Sequence, residues 1–351
     1  MNIQSPSFII DKQKCLSNIR FMSDKAKTHS VQFRPHFKTH QNAGVGELYR
    51  SEGIRKITVS SVDMAEYFMN LGWDDITIAF PVNIRQMDKI NLIARKIKLN
   101  LVAESTGVVK YLDQNLKSKA GLFIKIDGGY NRTGIIHHDI ENISEVVKAS
   151  RDSSNIELKG FLIHSGHTYA AQSVKEILEI HHESLAIAGN LKNKFPGLMV
   201  SIGDTPGCSL ANDFTNIDEI RPGNFVYYDM MQYFLGSCSF DKIAVSVACP
   251  VVSVHPHKKE VVVYGGAVHL SKEVLNINNS RYYGGCTLLG DNHGWGKLLE
   301  TCFVKGVSQE HGIISAGEKL ISTIKPGDLI GVIPVHSCLA ADLLRKNTIM
   351  I

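Results

Sequence analysis

The 351-residue sequence lacks the features that mark several specialised classes of protein. It has no dense run of lysine and arginine and no aromatic residues interleaved with basic ones. The formal net charge is only +4, so nucleic acid is not an expected partner. No apolar run approaches the roughly 20 residues that a membrane-spanning helix needs.

The sequence also has little that points to secretion. Its first residues, MNIQSPSFII, lack the charged and long apolar regions of a signal peptide. The seven cysteines are scattered and odd in number, which fits a reducing compartment better than a disulfide framework. A cytoplasmic protein that uses neither a membrane nor nucleic acid is therefore expected.

What the sequence does contain, from about residue 30 to residue 235, is an alternation of short apolar runs and helix-length amphipathic stretches. The strand candidates are SVQFRPHFK, KITVS, DITIAF, KLNLVAE, GLFIKID, ELKGFLIH, LMVSIG and IDEIR. Eight strands at this spacing predict a (β/α)₈ TIM-type barrel. An open doubly wound sheet is the alternative, but no G-x-G-x-x-G follows the first strand.

The pattern changes after about residue 240. IAVSVACPVVSVHP and KEVVVYGGAVHL alternate apolar with small or polar residues, which predicts an antiparallel β domain. The segment SFII near the amino terminus could return to pair with it. We therefore predict a barrel over residues 10–238 and a β domain over residues 239–351 together with about residues 1–9.

Lys38 ends the first predicted strand and lies between His36 and His40. Chemistry in such barrels gathers at the carboxyl ends of the strands. A single lysine there is usually a solvated surface residue, but a desolvated amine could form a Schiff base with an aldehyde cofactor. Pro35 would stiffen the approach, and the two histidines could orient the amine or reduce its charge.

Later strands end in loops that are rich in polar residues and glycine: KIDGGYNRTG, HSGHTY, SIGDTPGCS and EIRPGNFVYYD. The residues that these loops supply are Arg132; His164, His167 and Tyr169; Gly203 and Thr205; and Arg221, Gly223 and Asn224. Each loop alone is more often an ordinary surface loop. Because barrels often bind phosphate after strands seven and eight, the last two loops together predict a phosphate site. Asp204 would repel phosphate unless it points away.

The segment PVHSCLAAD places His336 two residues before Cys338. On a strand, positions two apart face the same side, so an imidazole and a thiolate would be presented together. That pair suits zinc. The alternative is a buried cysteine beside a hydrogen-bonded histidine.

Six of these segments, in chain order, resemble a known family: RPHFKTH, DGGYNRTG, HSGHTY, EIRPGNFVYYD, SQEHG and PVHSC. The resemblance is to the metal-dependent fold-type III pyridoxal phosphate enzymes, which include D-serine dehydratase and D-threonine aldolase and are related to alanine racemase. It spans nearly the whole chain. It implies that Lys38 holds the cofactor covalently and that His164 lies against its pyridine ring.

The resemblance also implies roles for the remaining candidates. The phosphate would be held by Gly203, Thr205, Gly223 and Asn224, with Tyr169 adding its hydroxyl; Arg132 and Arg221 would contact the phenolic oxygen or the ring nitrogen; and His336 and Cys338 would bind the metal. The thiolate favours zinc over Mn²⁺ or Mg²⁺ and favours the dehydratase over the aldolase. Gln41 departs from the family pattern, since many relatives have lysine there.

The implied function is a lyase that acts on a D-3-hydroxy amino acid, first of all the dehydration of D-serine to pyruvate and ammonia, with Lys38 taking the Cα proton. Three alternatives remain open: aldolase cleavage to glycine and an aldehyde with His167 as base, an amino acid racemase, and a pyridoxal phosphate carrier without turnover. The resemblance also implies a homodimer. The segment 281–297 does not align with either branch and could shape the substrate pocket.

Overall fold

The protein is described by a computed structural model that covers residues 3–292 and 294–351. Its residues form two compact units. The barrel unit comprises Arg20–Lys38 and Gly46–Gly223, and the β unit comprises Thr39–Val45, Asn224–Ile351 and the described residues up to Ile19. The boundaries drawn from the sequence, at residues 10, 238 and 239, stay a prediction. Residues 1 and 2 of the predicted β domain, and His293 of segment 281–297, lie outside the described residues.

Strands and helices alternate along the barrel unit, and strands predominate in the rest of the described chain. The strands are β1 (Ser7–Ile10), β2 (Gln32–Phe33), β3 (Lys56–Val59), β4 (Asp75–Pro81), β5 (Lys98–Ala103), β6 (Ala120–Asp127), β7 (Ile135–Ile136), β8 (Ile156–Ile163), β9 (Met199–Ile202), β10 (Glu219–Ile220), β11 (Val245–His255), β12 (Glu260–Tyr264), β13 (Leu275–Ile277), β14 (Ser280–Tyr282), β15 (Gly284–Leu289), β16 (Trp295–Val307), β17 (His311–Ser315), β18 (Leu329–Pro334) and β19 (Thr348–Met350). The helices are α1 (Lys12–Thr28), α2 (Ala43–Ser51), α3 (Val62–Asn70), α4 (Met87–Ala94), α5 (Thr106–Asn115), α6 (Ile140–Arg151), α7 (Val174–Lys194), α8 (Thr205–Leu210), α9 (Met230–Phe234), α10 (Ala267–Leu270), α11 (Glu318–Ile321) and α12 (Ser337–Leu343).

The barrel unit is a parallel sheet in the order β2-β10-β9-β8-β6-β5-β4-β3. Its two edge strands are joined at His36 and Thr58, where the Phe37 N–H donates to the Thr58 carbonyl at 2.8 Å. The eight strands predicted from the sequence are these eight, so the TIM-type barrel is confirmed and the open sheet is wrong. The first strand is shorter than predicted: regular pairing of β2 stops at Phe33, because Pro35 has no N–H to donate.

Local chemistry explains why the barrel's helices start where they do. Ser61 and Ser105 cap α3 and α5 by accepting hydrogen bonds from Met64 N and Val108 N. All eight residues of β6 are buried, including Lys125 and Asp127, as expected for a parallel strand that is covered on both faces.

The β unit is a second, antiparallel barrel. Strand β11 pairs with both β18 and β12, and the path β12-β17-β16-β15-β18 returns to β11, so six strands close on themselves. Closure leaves no free edge within this ring. Strand β1 pairs with β11 in antiparallel fashion, with Ser7 opposite Ala248, which confirms that SFII returns to this domain. Strand β19 adds to β1 in parallel.

The structure corrects one prediction in the β unit. His336 and Cys338 do not lie on a strand, because β18 ends at Pro334 and α12 begins at Ser337. His336 occupies the extended N-cap position and Cys338 lies in the first helical turn. The residues that follow Cys338, LAADLL, favour a helix, and helical propensity prevails over the short extension of the strand pattern. None of the described helices combines the length and the apolar character that crossing a bilayer requires.

Candidate active site

Lys38 lies just beyond the carboxyl end of the first barrel strand. Its backbone N–H donates to Nδ1 of His36 at 3.4 Å, so His36 orients the turn that carries the lysine. The Lys38 side chain is exposed in the single chain, and its role as a desolvated amine stays a prediction. His40, which belongs to the β unit, is buried, and burial lowers its pKa to about 3, so it adds no positive charge.

His164 follows β8 and hydrogen-bonds through Nδ1 to the carbonyl of Gly203. Burial lowers the pKa of His164 to about 3, and nearby positive charges add to the shift, so the ring is neutral at ordinary pH. These charges belong to Lys38, Arg132 and Arg221. The carboxyl ends of separate strands thus bring the predicted lysine, histidine and arginines into one electrostatic neighbourhood of the barrel unit.

Arg221 follows β10 and is buried in the barrel. Its Nε donates to Ser201 Oγ at 2.7 Å, and its Nη2 donates to the Ile163 carbonyl at 2.7 Å. Gly203 lies against it: a side-chain carbon at position 203 would come within 2.8 Å of the Arg221 carbonyl oxygen. Glycine is therefore required there for the close approach of two strand ends.

The loop after β6 is a rigid turn that carries Arg132. Asp127 Oδ1 accepts the backbone N–H groups of Gly129 and Asn131, each at 3.0 Å. The exposed guanidinium of Arg132 lies 4.9 Å above the ring of Tyr130. The same ring stacks on His167, with centroids 6.1 Å apart and planes 25° apart.

The turn that starts α8 has the features of an anion site. Thr205 N donates to the hydroxyl of Tyr169 at 3.2 Å, while the buried Thr205 Oγ1 has no hydrogen-bond partner within the described residues. Asp204 is directed at this turn: it caps α8 by accepting from Gly207 N at 2.6 Å and from Thr168 Oγ1 at 3.0 Å. The condition under which an acid was expected to suit this place, that it points away, is therefore not met. Burial raises the pKa of Asp204 to about 6, which favours the neutral form relative to an ordinary aspartate.

The β unit holds the predicted metal pair. Burial tends to lower the pKa of His336, but the charge of Cys338 and a hydrogen bond between the two side chains raise it to about 9. Imidazole and thiolate in direct contact are a donor set that zinc prefers, and a cation can replace the shared proton. No cluster of three or more candidate metal ligands occurs among residues 3–292 and 294–351.

Asn224 also lies in the β unit, and its side chain faces the start of α12. Its Nδ2 donates to Asp229 Oδ2 at 2.7 Å and to Ser337 Oγ at 3.0 Å. Gly223 is a buried residue of the barrel unit. Of the predicted phosphate residues, Gly223 and Asn224 therefore belong to different units.

Sequence reasoning missed two groups of the barrel unit. Lys125 is buried in β6, with Nζ donating to the Ile126 carbonyl at 2.8 Å, and burial together with the charge of Arg221 lowers its pKa to about 8. Glu104 follows β5 and has a buried Oε2 without a hydrogen-bond partner in the described part of the chain. The signal was available, since a lysine inside GLFIKID and an acid at the end of KLNLVAE are unusual in apolar strands.

The residues present fit both groups that the resemblance implies. An unpartnered buried hydroxyl at a tight turn suits a phosphate oxygen, and an exposed lysine amine beside a neutral histidine is accessible to an aldehyde. The His336–Cys338 pair suits a divalent ion of zinc's character.

The fold and these side chains define an alanine racemase-like protein. A family model described as "Alanine racemase, N-terminal domain" matches residues 10–230, and a second, "Putative serine dehydratase domain", matches residues 244–350. The chain belongs to the alanine racemase-like, fold-type III family, for which pyridoxal phosphate is the expected cofactor.

Curated relatives cover nearly the whole chain. A D-serine dehydratase of Dictyostelium discoideum is 29% identical over 373 residues, which cover 97% of this chain and 91% of the relative. A D-threo-3-hydroxyaspartate dehydratase of Delftia sp. (strain HT23) is 25% identical and covers 96% of this chain and 92% of the relative.

Solved structures share the fold. The structure of the Delftia dehydratase superposes with a TM-score of 0.89 at 22% identity, over 97% of this chain and 93% of that chain. A D-threonine aldolase of Filomicrobium marinum superposes with a TM-score of 0.82 at 18% identity, over 97% and 89% of the two chains. Structures of the Delftia enzyme include a histidine-to-alanine mutant and, two positions further on, a cysteine-to-alanine mutant in a metal-free form.

Proposed function

We propose that the chain is a pyridoxal phosphate- and metal-dependent lyase that dehydrates D-serine, or a closely related D-3-hydroxy amino acid, to a 2-oxo acid and ammonia. The observation that carries the proposal is the contact between His336 and Cys338, because an imidazole–thiolate pair supplies the metal chemistry that β-hydroxyl loss needs. The same spacing of histidine and cysteine in the Delftia dehydratase, together with its metal-free cysteine mutant, supports this assignment.

The proposed cofactor residues belong to the barrel unit, apart from Asn224, which belongs to the β unit. Lys38 would hold pyridoxal phosphate through its amine; His164 would lie against the ring; Arg132 and Arg221 would contact its polar atoms; and Gly203, Thr205, Tyr169, Gly223 and Asn224 would hold its phosphate. When bound, this cofactor supplies an electron sink for negative charge at Cα.

Two steps would fall to this chain's own residues. The Nζ amine of Lys38, once free, takes the Cα proton. His336 and Cys338 would hold a divalent ion, and such an ion would supply Lewis-acid support for loss of the β-hydroxyl. The thiolate favours zinc, with Mn²⁺ or Mg²⁺ as the alternatives. Thr39, whose hydroxyl contacts Cys338, directly follows Lys38 in the sequence.

A second candidate is aldolase cleavage to glycine and an aldehyde. It is favoured by His167, whose buried Nδ1 has no hydrogen-bond partner among the described residues and whose ring is held by Tyr130. A histidine whose ring nitrogen has no other hydrogen-bond partner could take the proton of a β-hydroxyl. The similarity to D-threonine aldolases is 18% identity for the solved structure and 22% identity over 54% of this chain for a curated relative, against 29% over 97% of this chain for D-serine dehydratase.

Product analysis decides between these candidates. The purified protein, loaded with cofactor and zinc, is incubated with D-serine and with D-threonine, and 2-oxo acid, ammonia, glycine and L-isomer are measured. We expect 2-oxo acid and ammonia in equal amounts. Glycine would support the aldolase, L-isomer a racemase, and tightly bound cofactor without any product a carrier.

Two variants test which residues hold the cofactor and the metal. Lys38→Ala should lose the visible absorbance of covalently held cofactor and all activity, whereas Cys338→Ser should keep that absorbance and lose metal and dehydration. If Cys338→Ser retained full zinc content and activity, the assignment of the metal pair would be refuted.

Two further proposals concern assembly and location. We propose a homodimer, from the family resemblance, and a cytoplasmic location, from seven cysteines that form no disulfide within the described part of the chain. Light scattering on the cofactor-loaded protein checks the first, and fractionation of the source cells checks the second.

A further inference from the structure

Helix α12, which carries Cys338, begins without a cap of its own. His336 occupies the N-cap position but makes no side-chain hydrogen bond to the helix. Asp229 supplies the acceptor instead: its buried Oδ2 accepts from Ser337 N at 2.9 Å and from Ser337 Oγ at 3.2 Å. Its Oδ1 accepts from Gln232 N at 3.0 Å, which anchors the carboxylate at the start of α9. Asp229 therefore holds the helical turn that presents the sulfur.

Asp229 also determines how Asn224 is oriented. The Asn224 Nδ2 group donates to Asp229 Oδ2 at 2.7 Å and lies 3.6 Å from Cys338 Sγ. Reversing this amide would place its oxygen against the carboxylate, where the two acceptors repel each other. The same nitrogen also donates to Ser337 Oγ at 3.0 Å, so its two N–H groups are shared among three acceptors. The carboxylate thus keeps the nitrogen of Asn224, rather than its oxygen, on the side of the sulfur, where it makes the longest of these three contacts.

Thr39 contacts the same sulfur. The Cys338 thiol donates to Thr39 Oγ1 at 3.3 Å, and both Thr39 and Asn224 are almost fully buried. A hydroxyl both accepts and donates, so once the thiol proton is lost the Thr39 O–H can rotate and donate to the thiolate. The hydroxyl then donates to the sulfur, and the amide nitrogen of Asn224 adds a longer, shared contact. A cysteine that merely fills the core needs no such donors.

We propose that Asn224, oriented by Asp229, and Thr39 are positioning residues that hold Cys338 as a metal-binding thiolate. The inference rests on the proposed function, because it takes Cys338 to be a ligand. Partners that hydrogen-bond to a ligand fix its orientation and charge, and their loss commonly weakens metal binding about 10–100-fold.

The test compares three single variants with the wild type, each loaded with cofactor. Thr39→Val keeps the shape of threonine without its hydroxyl, Thr39→Ser is the matched control that keeps the hydroxyl, and Asp229→Asn removes the charge that orients Asn224. Zinc affinity is measured by competition with a chromophoric chelator. Cobalt is then substituted, and the thiolate-to-cobalt charge-transfer band is recorded, with Cys338→Ser as the blank.

We expect about 10–100-fold weaker zinc binding and a shifted cobalt band for Thr39→Val and Asp229→Asn. Thr39→Ser should remain near the wild type in both measurements. Circular dichroism and cofactor absorbance verify that each variant is folded. Should Thr39→Val fail to fold, the comparison of Asp229→Asn with the wild type decides alone.

The outcomes separate this inference from the proposed function. Tight zinc binding by the wild type with unchanged affinity and cobalt spectrum in Thr39→Val and Asp229→Asn would overturn the positioning role and leave the lyase intact. A wild type that binds neither zinc nor cobalt through Cys338 would overturn the metal assignment, and this inference with it.

Discussion

The raised pKa of Asp204, at the start of α8, predicts how the stability of the protein changes with pH. Burial raises its pKa from 3.8 to about 6, although hydrogen bonds from Gly207 N and Thr168 Oγ1 oppose the shift. Between these two values the folded protein holds a proton that the unfolded chain has released. The contribution of Asp204 to stability is therefore fully present below about pH 4 and is lost as the pH rises through about 6. The difference between the folded and unfolded pKa corresponds to about 3 kcal/mol.

The perturbation is Asp204→Asn, which keeps an oxygen for Gly207 N but does not titrate. We expect the free energy of unfolding of this variant, relative to the wild type, to rise by about 3 kcal/mol between pH 4 and pH 7. Urea unfolding at a series of pH values measures it. Asp139→Asn is the matched control, because Asp139 caps α6 in the same way but is exposed. A difference between Asp204→Asn and wild type that does not change with pH would refute the reasoning.

Two further substitutions test packing and charge in the barrel unit. Gly166→Ala would bring a methyl group to 2.4 Å from the ring of Tyr130, so we expect the free energy of unfolding, measured in urea, to fall by about 1–3 kcal/mol. Gly107→Ala on α5, where the space is open, is the control and should stabilise the protein slightly. A Gly166→Ala variant as stable as the wild type would contradict the contact with Tyr130. Arg34→Met removes the ion-pair partner of Glu219, which is paired at 2.7 Å and almost fully buried, and leaves it with the hydrogen bond from Ser201 Oγ; we expect a loss of about 3–5 kcal/mol. The exposed pair Arg20–Glu52 is the control, and Arg20→Met should change stability by less than about 1 kcal/mol. Equal effects of the two arginine substitutions would show that burial does not matter here.

Much of the fold could be predicted because its signals are local. Strand runs such as KITVS and DITIAF carry β-branched residues at short spacing, and serines such as Ser61 and Ser105 mark helix starts by their own hydrogen bonds. The candidate residues Lys38, His164 and Arg221 could be named because each follows a strand, and parallel strands present their carboxyl ends together.

The errors arose where a local pattern competed with a distant partner. His336 and Cys338 were expected on a strand, but Asp229 caps the turn that follows β18 and so stabilises a helix there. Nothing near Cys338 in the sequence indicates that its sulfur contacts Thr39, which is 299 positions away. Lys125 and Glu104 were overlooked because strand periodicity alone does not distinguish a site residue from a tolerated polar one.

The sequence by itself determined which segments form strands and helices and which side chains are chemically able to hold a cofactor and a metal, since these properties belong to short stretches of chain. Tertiary structure alone decided that glycine is required at position 203, that Asn224 faces Asp229, and that the hydroxyl of Thr39 meets the sulfur of Cys338. The physical reason is that hydrogen-bond direction and burial depend on residues brought together from distant parts of the chain.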